Sequence, residues 1–296
     1  MFRDEMIKEI CQIRAAVRQQ APLIHCITNP ISIHDCANVV LAAGGRPMMA
    51  EHPKEVEEIT ATAGGLALNL GNITDARRDS ILIAGKTAME RKIPVIIDMV
   101  GIGCSHFRRE IMEEFLGQRI PGAPLILKGN MSELKALHGG DCHVSGVDAD
   151  PKDLLSEANR AETVKLASDI AKTYDAVVLA SGKTDLVTDG VQHFLIDNGC
   201  EMMGRITGTG CMLNVLTAAY MSAGRPLAAA AAACVVMGIS GELALCDISS
   251  GAKDGGAAGR PGTGSFQIAF LDALFCITDE AVRRRMRLSL YGVEGE

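Results

Sequence analysis

The chain reads as having no basic tail and no Lys/Arg block, and its net charge is −7. Nucleic acid is therefore not an expected partner. No two of its ten cysteines form a CxxC pair, and none has the Cys/His spacing of a zinc site. Several fall inside apolar runs, Cys234 and Cys246 among them, so reduced thiols in a cytoplasm are expected. The first six residues are charged and lack the apolar region of a signal peptide. The longest apolar run, near residues 227–237, is Ala-rich and reads as too short to span a bilayer; a buried helix, and no membrane partner, is expected. There is no internal repeat and no linker, so residues 1–296 read as one domain. What is present is 48% hydrophobic and 22% charged, a globular balance with a sizeable core.

The hydrophobic pattern alternates between two periods. Residues 4–19 carry Met6, Ile7, Ile10, Ile13 and Val17 at helical spacing, and a short strand follows at 23–28. Asn29-Pro30 breaks it, Ser32 is placed to cap a helix running to about 43, and 47–49 is extended. Helices are expected at 52–63, 75–91, 107–116, 131–137 and 158–174. Apolar strands are expected at 65–69, 94–98, 125–128 and 176–180. Residues 139–157 read as a surface loop. Strands alternating with helices predict an α/β fold: a mostly parallel central sheet with helices on both faces. Asp189-Gly190 between two extended runs marks a hairpin, so antiparallel strands join one edge. Helices follow from Gly210, over 227–246, and over 264–275 and 278–285, then a last strand over 288–291. The Gly-rich residues 250–264 read as mobile.

One stretch organises the candidate chemistry: Arg205-Ile206-Thr207-Gly208-Thr209-Gly210-Cys211, leading into an apolar helix. Two glycines let the backbone turn sharply, and the helix start adds free N–H groups and a positive dipole end. That combination suits an anion, most simply phosphate. An ordinary tight turn is the alternative, and Gly262-Thr263-Gly264 repeats the pattern. Cys211, in the first turn, is expected to have a lowered pKa. The polar residues at strand ends converge on the same place. Asp98 ends one strand, Lys128 and Asn130 end the next, and Ser181 ends a third, where open α/β sheets bind ligands. Asn130 with Glu133 has capping-box spacing, which is compatible with Glu133 holding Mg²⁺ through water. His25 reads as a satisfied strand histidine, and Asn29 and Asp35 as turn and cap residues.

The segments His25-Cys26-Ile27-Thr28-Asn29, Gly45-Arg46-Pro47-Met48-Met49-Ala50, Lys128-Gly129-Asn130-Met131-Ser132-Glu133 and Thr207-Gly208-Thr209-Gly210-Cys211 lie in one order along nearly the whole chain. Together they resemble the hydroxyethylthiazole kinases, a thiamine-biosynthesis branch of the ribokinase-like superfamily. The discriminating feature is Cys211, where most of the superfamily carries a catalytic Asp. The resemblance implies a three-layer ribokinase-like fold. It implies transfer of phosphate from ATP, with Mg²⁺, to the hydroxyl of 4-methyl-5-(2-hydroxyethyl)thiazole. It further implies Cys211 as the catalytic residue, with Met49 and Gly208 on the thiazole. Lys128, Ser181, Thr207, Thr209 and Gly210 would lie on ATP, and Asp98, Asn130 and Glu133 near the metal. A homotrimer with sites between subunits is implied as well. Several family positions differ: Lys128 stands where Arg is usual, Ser181 where Thr is usual, Cys104-Ser105 where Ala-Thr is usual, and Met99 where Pro follows the Asp, which is expected to loosen that turn. A kinase for another alcohol, a hydrate dehydratase on the same fold, and a nucleotide-binding regulator are the competing readings.

Overall fold

The computed structural model describes residues 2–139, 155, 157–250 and 262–292. Helices are α1 (Phe2–Gln20), α2 (Ile33–Ala43), α3 (Val56–Thr60), α4 (Asp75–Glu90), α5 (His106–Gly117), α6 (Met131–Leu137), α7 (Arg160–Tyr174), α8 (Thr209–Met221), α9 (Pro226–Ser250), α10 (Thr263–Cys276) and α11 (Asp279–Arg285). Strands are β1 (Leu23–Ile27), β2 (Arg46–Met48), β3 (Gly65–Asn69), β4 (Val95–Asp98), β5 (Leu125–Gly129), β6 (Val177–Ala180), β7 (Asp185–Thr188), β8 (His193–Ile196) and β9 (Leu288–Leu290). They form one sheet in the order β2-β1-β3-β4-β5-β6-β7-β8-β9. Pairing is parallel from β2 to β6 and antiparallel from β6 to β9, with the expected hairpin joining β7 and β8.

Alternation along each strand explains the layers. In β4 and β5, Ile96 and Ile126 face one core, while Val95, Ile97, Leu125 and Leu127 face the other. The first core is covered by α1, α2, α8, α9 and α10, the second by α4, α5, α6 and α7. A parallel sheet buried on both faces needs strands apolar at every position, and β3, β4 and β5 are buried throughout.

Several expectations change. The helix expected over 52–63 forms only over Val56–Thr60, since residues 53–55 make a turn first. Ser32 does not cap α2 with its side chain; its hydroxyl donates to the Asn29 carbonyl, inside a 3-10 turn over Pro30–Ser32. The apolar run near 227–237 is part of a 25-residue helix. By length and composition 226–249 could cross a membrane, but 78% of its most apolar window is buried inside the fold. A basic cluster exists after all: Arg283, Arg284 and Arg285 end α11, with Arg287 beyond. Glu280 pairs with Arg284 and Glu242 with Arg285 and Arg287, so two carboxylates offset part of its charge. Met99 does not loosen its turn. Its N–H donates to the Lys128 carbonyl at 2.8 Å, a bond proline could not make. Most of the expected 139–157 loop, and residues 251–261 of the segment expected to be mobile, lie outside the described residues.

Candidate active site

The C-terminal ends of β1, β3, β4 and β5 bring two sets of side chains to one end of the sheet. The first set surrounds Cys211. The helix α8 starts at Thr209, one residue before the expected start, because Gly208 at φ +85° forms its N-cap. A Cβ at Gly208 would lie 2.8 Å from the Ser32 Cβ, so sterics and backbone both demand glycine here. Cys211 falls in the first turn, half-buried, with the Asn69 side-chain amide donating to its sulfur at 3.4 Å. The Asn69 oxygen accepts from the Gly71 N–H at 2.7 Å. One turn along α8, Asn214 donates to the Leu68 carbonyl at 2.9 Å and ties the helix to β3. The expected lowering of the Cys211 pKa is not found. Burial first, and then the Asp98 carboxylate, push the thiol up, and hydrogen bonding with Ser32, the Lys128 charge and the Asn69 amide only partly offset them.

His25 is the satisfied histidine it was read to be. Its Nε2 faces the Ala50 carbonyl at 2.9 Å and therefore carries the hydrogen, which leaves Nδ1 to accept from the Thr60 hydroxyl at 2.8 Å. Burial holds its pKa below the usual histidine range. The ring thus anchors the backbone next to Met49, which leaves β2 at this same end of the sheet.

The second set is charged. The Lys128 Nζ donates to Asp98 Oδ2 at 2.7 Å, and both side chains are almost wholly buried. Burial alone would push the ammonium down; the Asp98 carboxylate reverses that and holds it up. A Cβ at Gly210 would lie 3.6 Å from Nζ, so the ammonium sits against the glycine turn. Glu133 closes the expected capping box: its Oε2 accepts from the Asn130 N–H at 2.7 Å, and Asn130 Oδ1 accepts from the Glu133 N–H at 2.9 Å. Its Oε1 reaches further, to the Gly101 N–H at 2.7 Å, and so fixes the glycine turn after β4. Burial and the neighbouring Asp98 push the Glu133 carboxyl up to about 7.

Beside these residues opens a cavity of about 710 Å³, bounded by the β5, β6, β7 and β8 ends and by α8 and α9. Asn130, Ser181, Thr209 and Gly210 line it, as a nucleotide site would require. Thr207 is exposed and does not. Lys183, Asp185, Asn198 and Met203 line it too and were missed in the sequence. The Asp185 carboxyl, which accepts from the Gly182 N–H at 2.9 Å, is pushed up to about 6 by burial.

Residues 14–280 match the Hydroxyethylthiazole kinase family. The chain belongs to that family. A hydroxyethylthiazole kinase 2 of Clostridium botulinum (strain 657 / Type Ba4) is 45% identical over 280 residues, covering 95% of this chain and all of the relative. The solved hydroxyethylthiazole kinase protein of Pyrococcus horikoshii OT3 is 32% identical, covers 96% of this chain and 99% of its own, and superposes with a TM-score of 0.80. A ribokinase-like superfamily protein of Enterococcus faecalis V583, 11% identical with a TM-score of 0.55, covers 87% of this chain and 88% of its own and shares the fold.

As a member of the hydroxyethylthiazole kinase family the chain is a kinase with the three-layer ribokinase-like fold. A kinase's magnesium can be tested against the donors present. Asp98, Asn130 and Glu133 are hard oxygen donors, which suits Mg²⁺. One Asp98 oxygen is engaged by Lys128, and both Glu133 oxygens accept backbone N–H groups. Among the described residues no group of three His, Cys, Asp or Glu is placed to hold a metal. The set therefore fits an ion that keeps its water and takes phosphate oxygens, and does not fit a cage made of protein alone.

Proposed function

We propose that the chain transfers the γ-phosphoryl group of ATP to the primary alcohol of 4-methyl-5-(2-hydroxyethyl)thiazole, making the thiazole phosphate of thiamine biosynthesis. The observation that carries the reading, beyond family membership, is Cys211. It lies at the start of α8, between the glycine turn on the nucleotide side and Asn69 on the other. The alcohol oxygen attacks the γ-phosphorus, the bond to the β–γ bridging oxygen breaks, and ADP leaves. The Cys211 thiol, held protonated by burial and Asp98, orients the hydroxyl by accepting its hydrogen bond, and the proton leaves to an oxygen of the transferred phosphoryl group as the ester forms. The transition state is loose, so positioning and charge stabilisation dominate and little is asked of a base.

The N–H groups from Gly208 to Cys211 stabilise the transferring phosphoryl, with Lys128 against the same turn. Thr209, Gly210 and Ser181 hold the nucleotide in the cavity, Thr207 reaches it from the exposed start of the glycine turn, and Met49 and Gly208 contact the thiazole. Mg²⁺, held through water by Asp98, Asn130 and Glu133, supplies charge neutralisation at the phosphates.

Residues 1–296 act as one unit, since one sheet carries every described strand and α1 is ion-paired to α11 through Arg14 and Asp279. The working form is a homotrimer with sites between subunits. Supporting it, Ile31, Leu41 and Met48 around α2 and β2, and Ile268 and Phe275 on the neighbouring α10, are exposed apolar residues. The compartment is the cytoplasm, in keeping with nine cysteines outside any disulfide among the described residues.

The test is ADP formation from ATP and Mg²⁺, with the thiazole alcohol, with hydroxymethylpyrimidine, and with neither. ADP and a phosphate ester that appear only with the thiazole are expected. ADP driven by the pyrimidine alone would overturn the substrate, and no alcohol-dependent ADP from folded protein that binds ATP would overturn the reaction.

A further inference from the structure

We propose that Asn69 is a positioning residue for the reaction: its amide aims the Cys211 sulfur at the acceptor alcohol, and Gly71 and Arg77 hold that amide in place. The inference rests on the reading that Cys211 faces the alcohol.

An asparagine amide has two ends that differ only in chemistry, and its neighbours decide which way it points. Here the Gly71 N–H must meet an acceptor, so the oxygen faces it at 2.7 Å, and the NH₂ is left facing the Cys211 sulfur at 3.4 Å. A sulfur that receives an N–H is kept as an acceptor, with its remaining electron pairs open to a hydroxyl hydrogen. A reversed amide would offer the sulfur a carbonyl and draw the S–H toward itself, away from substrate. Asn69 is fully buried, so no water competes for the contact. Gly71 is required as well: a Cβ there would lie 2.5 Å from Asn29 Nδ2 and 2.9 Å from Asn69 Oδ1.

Arg77 of α4 makes the platform rigid. Its guanidinium is buried, and Nη1 donates to the carbonyls of Gly71 at 2.5 Å and Asn72 at 2.8 Å. Nη2 donates to Thr28 at 2.6 Å and Asn69 at 3.3 Å. Nε lies 3.3 Å from the Glu51 carboxylate. One planar fork thereby fixes the backbone that follows β1 and β3, including the residue whose side chain aims Cys211. A lysine has neither the number nor the geometry of donors to do this.

The test is a double-mutant cycle between Asn69→Asp and Cys211→Ala. Aspartate keeps the shape and the bond from Gly71 but has no hydrogen for the sulfur. Loss of the hydrogen bond that aims the sulfur predicts a kcat lowered roughly tenfold or more, with KM for ATP unchanged. Cys211→Ala also slows turnover without abolishing it, and Asn69→Asp slows that variant no further. Alkylation of Cys211 by iodoacetamide, followed on its own peptide by mass spectrometry, is expected to slow several-fold in Asn69→Asp. Asn69→Ser, run through the same cycle, covers the case in which the aspartate does not fold. Equal effects of Asn69 substitution with and without Cys211, or unchanged alkylation, overturn the proposal alone. Full activity in Cys211→Ala overturns the reading of Cys211 and the proposal with it.

Discussion

The two sides of the candidate site are equally buried and oppositely made. Around Cys211 the groups nearest the sulfur are neutral: Asn69, His25, Thr60 and Ser32 are buried, with Asn69 on the Gly71 N–H, His25 on the Thr60 hydroxyl and the Ala50 carbonyl, and Ser32 on the Asn29 carbonyl, while the buried Arg77 charge behind them is directed at backbone carbonyls. A few strands along, Asp98 and Lys128 bury full charges in contact with each other, and Glu133 buries an acid pushed up to about 7 whose oxygens accept backbone N–H groups. Orienting one hydroxyl calls only for fixed dipoles. Receiving a polyphosphate and its counter-ion calls for charges that are already desolvated and held by temporary partners.

The sharpest way to break this contrast is to remove one charge. Lys128→Met leaves Asp98 buried without its partner and is expected to lower stability by about 3–5 kcal/mol. Adding Asp98→Asn should recover most of that. Urea denaturation of the single and double variants checks it, and a small loss in the single variant would show that the pair is not dry. The neutral side is attacked at Gly208, where alanine meets both φ +85° and the Ser32 side chain. Gly208→Ala is expected to cost about 1–2 kcal/mol and to raise KM for the thiazole more than KM for ATP. An equal rise in both would remove Gly208 from the alcohol side.

The smallest effect sharpens the comparison most, because its sign differs between the sides. Glu133, pushed up to about 7, keeps a proton in the native state that the unfolded chain loses, so its contribution to stability shrinks as pH rises from 4.5 to 7. His25, pushed below 6.5, refuses a proton that the unfolded chain takes, so its contribution shrinks as pH falls below 6.5. Denaturation midpoints at several pH values should therefore diverge from wild type in opposite directions for Glu133→Gln and His25→Asn, each by no more than about 1.4 kcal/mol per pH unit. Parallel slopes would contradict the assignment of one side as neutral and the other as charged.

The contrast also explains what could be read from the residues alone. Strand–helix alternation, the hairpin at Asp189-Gly190, the capping box of Asn130 and Glu133 and the glycine turn before Cys211 are local patterns, and the structure keeps them. Asn69 and Arg77 were not legible. Asn69 closes an apolar strand as any polar residue might, and Arg77 sits in a charged helix start among residues that face water. Only the crossing of β3 with α4 and α8 gives either a partner. The pKa of Cys211 failed for a related reason: a helix start is visible in sequence, but the burial and the Asp98 charge that outweigh it come from elsewhere in the chain. Asp185 and Asn198 line the cavity from the antiparallel edge, where no local motif announces a ligand.

The ion pair between Arg14 and Asp279 joins residues 265 apart in the chain. It fastens the first helix to the last, and α1 also packs on α9 and α8. During synthesis, α1 leaves the ribosome before α8, α9 and α11, with Met6, Ile7, Ile10, Ile13 and Val17 on one stripe and those covering helices not yet made. Contacts of such long range form late. A helix translated early is thus among the last to be secured, and until α9 and α11 emerge the chain carries an uncovered amphipathic helix.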